Sequence, residues 1–271
     1  MPELPEVETT RRGIEPHLVG RTVARLAVHE PRLRWPVPDA LRAALEGRAV
    51  AAVRRRAKYL LIDVAGGSAL VHLGMSGSLR LADPAEPRRK HDHVEIALDS
   101  GTTLRYHDPR RFGCVLWHPA GAPEHPLLAG LGPEPLSDDF DGERLFAATR
   151  RKDVAIKVLI MNAAVVVGVG NIYASEALFA AGVRPGRAAK RITRAEAARI
   201  ADAIKAVLAR SIDEGGTTLR DFVGGDGEPG YFAQRLAVYG RGGEPCRACG
   251  AIVGRRTLGQ RSTFWCPACQ R

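Results

Sequence analysis

Four of the five cysteines fall within residues 246–271, as Cys246-x-x-Cys249 and Cys266-x-x-Cys269. Two thiol pairs at this spacing form two knuckles whose sulfurs close a tetrahedral shell on one divalent metal, and zinc fits best. Four thiolates leave no open coordination position, so the ion would be structural, holding a hairpin and activating no water. Arg255, Arg256 and Arg261 lie between the pairs, where a hairpin clipped at its base would present them to a phosphate backbone. Generic ribbons do the same, so the motif speaks for binding and not for catalysis. Cys114 stands apart from the four and reads as a buried packing residue.

A second candidate is VVVGVGNIYASEALFAAG, residues 165–182, where a glycine pair leads into Asn171 at the start of a helix. Free N–H groups at a helix start attract anions, and glycine lets another backbone approach closely. Asn is equally an ordinary cap, so both readings stand. Lys157, on the preceding helix, strengthens an anion site if it points the same way. At the other end of the chain, Glu3, Glu6 and Glu8 crowd the first turns of a helix expected over 3–15, with Pro2 at or just before its start. The acids and the chain terminus therefore lie close together.

These groups have to be positioned by 271 residues, 45% of them hydrophobic, enough for two modest domains with cores of their own. The formal net charge of +10 favours a polyanionic partner, either nucleic acid or an anionic membrane surface. No run of eighteen apolar residues occurs, and MPELPEVETTRR resembles neither a secretory signal nor an anchor, so a cytoplasmic protein is expected. In a reducing compartment the cysteine cluster favours a metal over disulfides.

From residue 21 to about 118, short β-branched stretches recur between Gly, Pro and Asp, as in a β-sandwich or barrel. A proline- and glycine-rich stretch between His118 and Phe140 marks a domain boundary. Beyond it helices are expected over 152–161, 171–181 and 194–213, the last with a Thr193/Glu196 capping box and a Gly215-Gly216 stop. The Gly-rich segment 215–232 reads as a mobile loop.

Taken together, PELPEVET (2–9), RRAKYLL (55–61), HLGMSGSLR (72–80), KHDHV (90–94), DPRRFG (108–113), LGPEPL (131–136), VGVGNIYASE (167–176), SIDEGGTTL (211–219), GYFAQ (230–234) and the terminal ribbon resemble the formamidopyrimidine-DNA glycosylase family nearly end to end. The resemblance implies an α+β chain: a β-sandwich with a leading helix, then a helix-two-turn-helix domain and a zinc-ribbon hairpin. The expected bounds are 1–131 for the sandwich, 132–150 for a linker, 151–235 for the helical domain and 236–271 for the ribbon. It further implies a monomeric base-excision-repair enzyme, a DNA glycosylase that is also an AP lyase cutting the strand by β,δ-elimination, acting on oxidised purines in duplex DNA near the nucleoid, with one structural zinc and no membrane partner.

The resemblance also assigns roles. Pro2, once Met1 is removed, is the nucleophile; Glu3 is a general acid, Glu6 a nearby carboxylate positioning water or the amine, and Lys58 a proton donor or nucleotide contact. Arg261 would hold the lesion's phosphate. Met75, Arg110 and Phe112 would fill the gap left by a flipped base, although Met75 and Phe112 taken alone are core-type residues. His91, Lys152, Lys157, Asn171 and, more remotely, His72 are DNA contacts, and 215–232 covers the flipped base. One departure is Asn162, where many relatives carry an acid. Two alternatives remain open: an endonuclease VIII-type enzyme for oxidised pyrimidines, whose usual opening is closer to PEGPE, and a non-catalytic zinc-ribbon protein that binds damaged DNA.

Overall fold

The computed structural model describes residues 2–216 and 236–271, which form two compact units, 2–129 with 214–216 and 130–213 with 236–271. The first begins with α1 (Leu4–Leu18), whose residues Leu4, Val7, Ile14 and Leu18 share one buried face. The helix runs a turn past its expected end at residue 15: Pro16 lacks an N–H, but buried Leu18 and the Val19 N–H to Glu15 C=O bond hold the last turn.

The strands are β1 (Val23–Val28), β2 (Val50–Arg56), β3 (Tyr59–Val64), β4 (Gly67–His72), β5 (Ser78–Ala82), β6 (Asp92–Leu98), β7 (Thr103–His107) and β8 (Cys114–Pro119), with α2 (Ala40–Leu45) after β1. They form two antiparallel four-stranded sheets, ordered β1-β6-β7-β5 and β2-β3-β4-β8. Alternation puts Leu60, Ile62 and Val64 of one sheet and Val94, Ile96 and Leu98 of the other into a single core, as a sandwich requires. Both α2 and β5 escaped sequence reading. The first offers only Leu41 and Leu45 as buried anchors, too few for a visible period, and the second is hidden in the glycine-rich run after His72.

The second unit contains α3 (Gly142–Thr149), α4 (Ile156–Ile160), α5 (Asn171–Ala180) and α6 (Arg194–Asp213), then the hairpin β9 (Gly254–Leu258) and β10 (Arg261–Trp265). The segment 132–150, expected as a linker, holds α3, capped where Asp141 Oδ1 accepts the Arg144 N–H at 2.7 Å. Phe140 and Leu145 enter the core, and a β-carbon on Gly142 would stand 2.5 Å from Ala198 Cα of α6. The helix expected over 152–161 begins only at Ile156. Lys152 and Val154 carbonyls accept the N–H groups of Lys190 and Ala189, so this stretch runs extended instead of coiling. α6 matches its expected bounds, with Glu196 Oε2 accepting the Thr193 N–H and Thr193 Oγ1 the Glu196 N–H. The expected loop over 215–232 lies, from residue 217 on, outside the described residues. Among those described, no helix is long and apolar enough to cross a membrane.

One buried carboxylate ties the β1-β6-β7-β5 sheet to the segment that precedes β6. Asp92 Oδ1 lies 2.9 Å from His107 Nδ1, and Oδ2 accepts from Arg80 Nη2 at 2.9 Å and from the Arg89 N–H at 2.9 Å. Burial alone would raise its pKa, but these donors outweigh it and hold the group at about 2. Because the folded value lies below the unfolded one, Asp92 stabilises the fold above about pH 4, and that contribution is lost as pH falls toward 2. Asp92→Ala, which leaves Arg80 without this partner, is expected to cost about 3–5 kcal/mol. Urea midpoints measured between pH 5 and pH 2 should also show a shallower acid limb in Asp92→Asn.

Candidate active site

Pro2, Glu3 and Glu6 are buried at the start of α1. Glu3 is the extended N-cap residue, Pro5 lies in the first turn, and the Glu3 N–H donates to Glu6 Oε2 at 2.8 Å. Glu8, further along the helix, is surrounded by Arg11, Arg12 and Arg55, whose pull outweighs burial and lowers its pKa. Arg11 also donates to Val53 C=O at 3.3 Å. Residue 11 thus lies by 53 and residue 8 by 55, so α1 runs against β2 with its first residues toward the β2–β3 turn.

That turn carries Lys58. Arg56 pairs with Tyr59, leaving Ala57 and Lys58 as the loop, and Ala57 adopts φ +54°, a left-handed conformation that costs a non-glycine residue about 1 kcal/mol or more. Arg55 Nη1 donates to Ala57 C=O at 3.0 Å and braces it. Tight turn and helix register together bring Lys58 to the end of the sheet where the chain begins.

Met75, Arg110 and Phe112 meet through strand pairing. β4 and β8 pair as far as His72 opposite Cys114, so the loop that follows His72 and the loop that precedes Cys114 leave from the same edge. Gly74 (φ +64°) could not carry a β-carbon, which would stand 2.5 Å from Gly113 N and 2.7 Å from Phe112 C. One on Gly113 would overlap the Tyr106 hydroxyl and the His72 carbonyl oxygen. Buried Asp108 organises the second loop. Its Oδ2 accepts the Gly113 N–H at 2.9 Å, its Oδ1 the Arg110 N–H at 3.3 Å, and its carbonyl the Arg111 N–H at 3.2 Å.

This cage leaves Phe112 42% exposed with the Arg110 guanidinium 4.7 Å above its ring, while Met75 is half-buried. Phe112 is therefore not the core residue its type suggests. His72 is half-buried, and its Nδ1 accepts the Gly74 N–H at 3.0 Å. Burial, then the nearby Lys58 and Arg34 charges, pull its pKa down to about 4, so it is neutral at physiological pH. Cys114 is buried, with its thiol pushed up to about 12 by desolvation, as a packing residue requires. In KHDHV the side chains part: Asp92 and His93 turn inward, and His91 stays partly exposed beside the rings of His93 and His107.

In the second unit Lys157 does point at the start of α5. It is only 1% exposed, and its ammonium donates to Asn171 Oδ1 at 2.6 Å, Thr263 Oγ1 at 2.9 Å and Ser262 C=O at 3.2 Å. Asn171 Nδ2 donates to the same Ser262 carbonyl at 3.0 Å. Lys157 is thus a buried brace between the helix start and β10, whereas Lys152 is exposed. Gly170 is the N-cap of α5 and Asn171 its first residue. Arg261, exposed, opens β10 after the Gly259-Gln260 turn, whose φ angles of +52° and +62° suit a two-residue hairpin. Three features escaped sequence reading. Asp108 had a signal, an acid opening a Pro-containing turn that ends in Gly. Thr263 and Glu176 had none. The Glu176 carboxylate accepts the backbone N–H groups of Ala237, Val238 and Tyr239, pinning the chain that enters the ribbon.

The sulfurs of Cys246, Cys249, Cys266 and Cys269 all lie within 4.8 Å of one another, and those of Cys249 and Cys266 are 3.4 Å apart. A tetrahedral zinc–thiolate shell with bonds of about 2.3 Å spaces its sulfurs by roughly 3.8 Å, so the four residues fit one zinc ion. No other such cluster occurs among the described residues. Gln270 fastens the ribbon, accepting the Cys266 N–H and donating to Val183 C=O.

Residues 1–115 match the Formamidopyrimidine-DNA glycosylase N-terminal domain, residues 131–223 the Formamidopyrimidine-DNA glycosylase H2TH domain, and residues 243–271 a zinc finger found in FPG and IleRS. The chain is 63% identical to the Formamidopyrimidine-DNA glycosylase of Thioalkalivibrio sulfidiphilus and 60% identical to that of Stutzerimonas stutzeri, each across 100% of both chains. Its structure is similar to that of the MutM (Fpg) protein of Thermus thermophilus, with TM-score 0.89, 42% identity and coverage of 99% and 98% of the two chains. It is also similar to the Lactococcus lactis Fpg in a complex with DNA containing an abasic site, with TM-score 0.91, 32% identity and 99% of each chain covered.

Two outcomes are expected. Gly113→Ala, forced against Tyr106 and His72, should lower stability by about 1–3 kcal/mol in denaturant titrations. Metal analysis should find one zinc per chain, and stripping it with a strong chelator should melt the ribbon while the β-sandwich keeps its circular-dichroism signature.

Proposed function

The chain belongs to the formamidopyrimidine-DNA glycosylase family, and from that premise we propose that it excises oxidised purines from duplex DNA and then cuts the strand at the site it has made. The observation that carries the reading is the start of α1: a proline at position 2, flanked by the buried carboxylates of Glu3 and Glu6 and directed toward the turn that bears Lys58.

Removal of Met1 converts the Pro2 nitrogen from an amide into a secondary amine. An α-amino group has a pKa of roughly 8, so it is far more available as a free base near neutral pH than a lysine at about 10.4. The amine attacks C1′ of the damaged nucleotide, and the bond to the base breaks as Glu3 delivers a proton to the departing base or the opening sugar ring. The amine gives up its proton and the C1′–O4′ bond opens, so the secondary amine ends as an iminium, which stays cationic without a proton. That cation acidifies C2′–H, so loss of this proton expels the 3′ phosphate, and a second elimination expels the 5′ phosphate. Glu6 positions the amine or a water, Lys58 supplies a proton during elimination, and Arg261 holds the lesion's phosphate for the second step.

A base inside a duplex is out of reach and has to be flipped out. The exposed Phe112 wedges the opened step, Met75 fills the gap, and Arg110 reads the orphaned partner, expected to be cytosine. His91, His72, Lys152 and Asn171 hold the backbone, with Lys157 bracing Asn171. The zinc, when bound, supplies only the clip that keeps the ribbon folded. The protein acts as a monomer on cytoplasmic, nucleoid DNA.

Borohydride should trap processed protein covalently on a duplex carrying 8-oxoguanine, and Pro2→Ala or retention of Met1 should abolish the adduct. In a cleavage panel, 8-oxoguanine and formamidopyrimidine should be cut faster than thymine glycol. The reverse order would establish the pyrimidine enzyme instead, and no adduct on any lesion would leave a non-catalytic binder.

A further inference from the structure

Segment 30–37 carries two arginines of opposite circumstance. Arg32 is spent: its guanidinium grips Glu30 through two bonds of 2.8 and 2.7 Å, and Arg111 lies 3.4 Å from the same carboxylate. Arg34 is exposed and has no ion-pair partner among the described residues. Its guanidinium lies 4.6 Å above the Trp35 ring.

The loop that presents Arg34 is rigid. Pro31 C=O accepts the N–H groups of Leu33 at 3.0 Å and Val37 at 2.9 Å, and both of those side chains are buried in the sandwich core. The Arg34 N–H donates to Gly113 C=O at 3.2 Å, which docks the loop on the same sheet edge that carries Phe112 and Met75. Lys58 and Arg34 both act on His72, so positive charge gathers at this edge. Like charges held together, one of them uncompensated on a fixed backbone, suit a polyanion that supplies the missing counter-charge.

We propose that Arg34, stacked on Trp35 and docked on Gly113, is an additional contact to a DNA phosphate beside the Phe112 wedge. The inference rests on the DNA-repair reading and adds to it a residue that binds the backbone without reading sequence or lesion. Trp35 fixes the direction of the guanidinium, so ordering costs less when the phosphate arrives.

The test is equilibrium binding across a salt series, to a duplex bearing a tetrahydrofuran abasic analogue and to its undamaged counterpart. Each lost phosphate contact reduces the slope of log K against log salt by about 0.9. R34A should show that reduction and weaken binding to both duplexes by a similar factor. R34Q keeps a polar, planar end group but not the charge, so it should match R34A, whereas R34K should retain most of the slope and R32A all of it. A native slope in R34Q, or a loss confined to the damaged duplex, overturns the proposal. The glycosylase reading fails differently, by an absence of covalent trapping in the processed wild-type protein whatever the slopes.

Discussion

Two glycines held within van der Waals distance of each other's backbones organise the working end of the first unit. Because neither Gly74 nor Gly113 has a β-carbon, the loop after β4 and the loop before β8 press together at the last pair of the β4–β8 ladder. Asp108 locks the second loop from inside with three hydrogen bonds to its backbone, and His72 fixes the first through the Gly74 N–H. This cage presents an exposed phenylalanine, an arginine stacked on it and a half-buried methionine. An exposed aromatic held on a fixed turn suits insertion between stacked surfaces.

Charge at this edge follows the same logic. Several arginines elsewhere on the sandwich are matched with acids: Arg80 with Asp92 and Glu86, Arg105 with Glu95, Arg55 with Glu8. Near His72, on which Lys58 also acts, Arg34 has no ion-pair partner among the described residues. The strain of Ala57 and the crowding of cations mark the end of the sheet where the chain starts, so strain and electrostatic cost collect where a ligand can offset them.

The second unit reaches a comparable result with a buried cation. The Lys157 ammonium is satisfied by Asn171, Ser262 and Thr263, so the helix start and the first residues of β10 are tied together. Gln270 and the four-cysteine cluster fix the far side of the ribbon. Arg261 thereby opens a strand whose next two residues are braced by Lys157, which lowers the ordering cost of the phosphate contact proposed for it.

Spacing along the chain was enough to determine the metal site, the α6 helix with its capping box and most strands, because each depends on contacts between near neighbours: two Cys-x-x-Cys knuckles, Thr193 with Glu196, alternation in YLLIDV. The family resemblance named Pro2 and the wedge residues, but not how they are held. The tertiary fold alone decided that Phe112 lies outside the core, that Lys157 is a brace, that residues 152–155 run extended beside 188–190, that 132–150 contains a helix, and that Arg34 stands unpaired while Arg32 does not. The first four of those outcomes turn on a partner distant in the chain: Gly113 against Tyr106, Lys157 against Thr263, Lys152 against Lys190, Gly142 against Ala198. Residue type and local period carry no record of such partners, and so only the folded chain could reveal them.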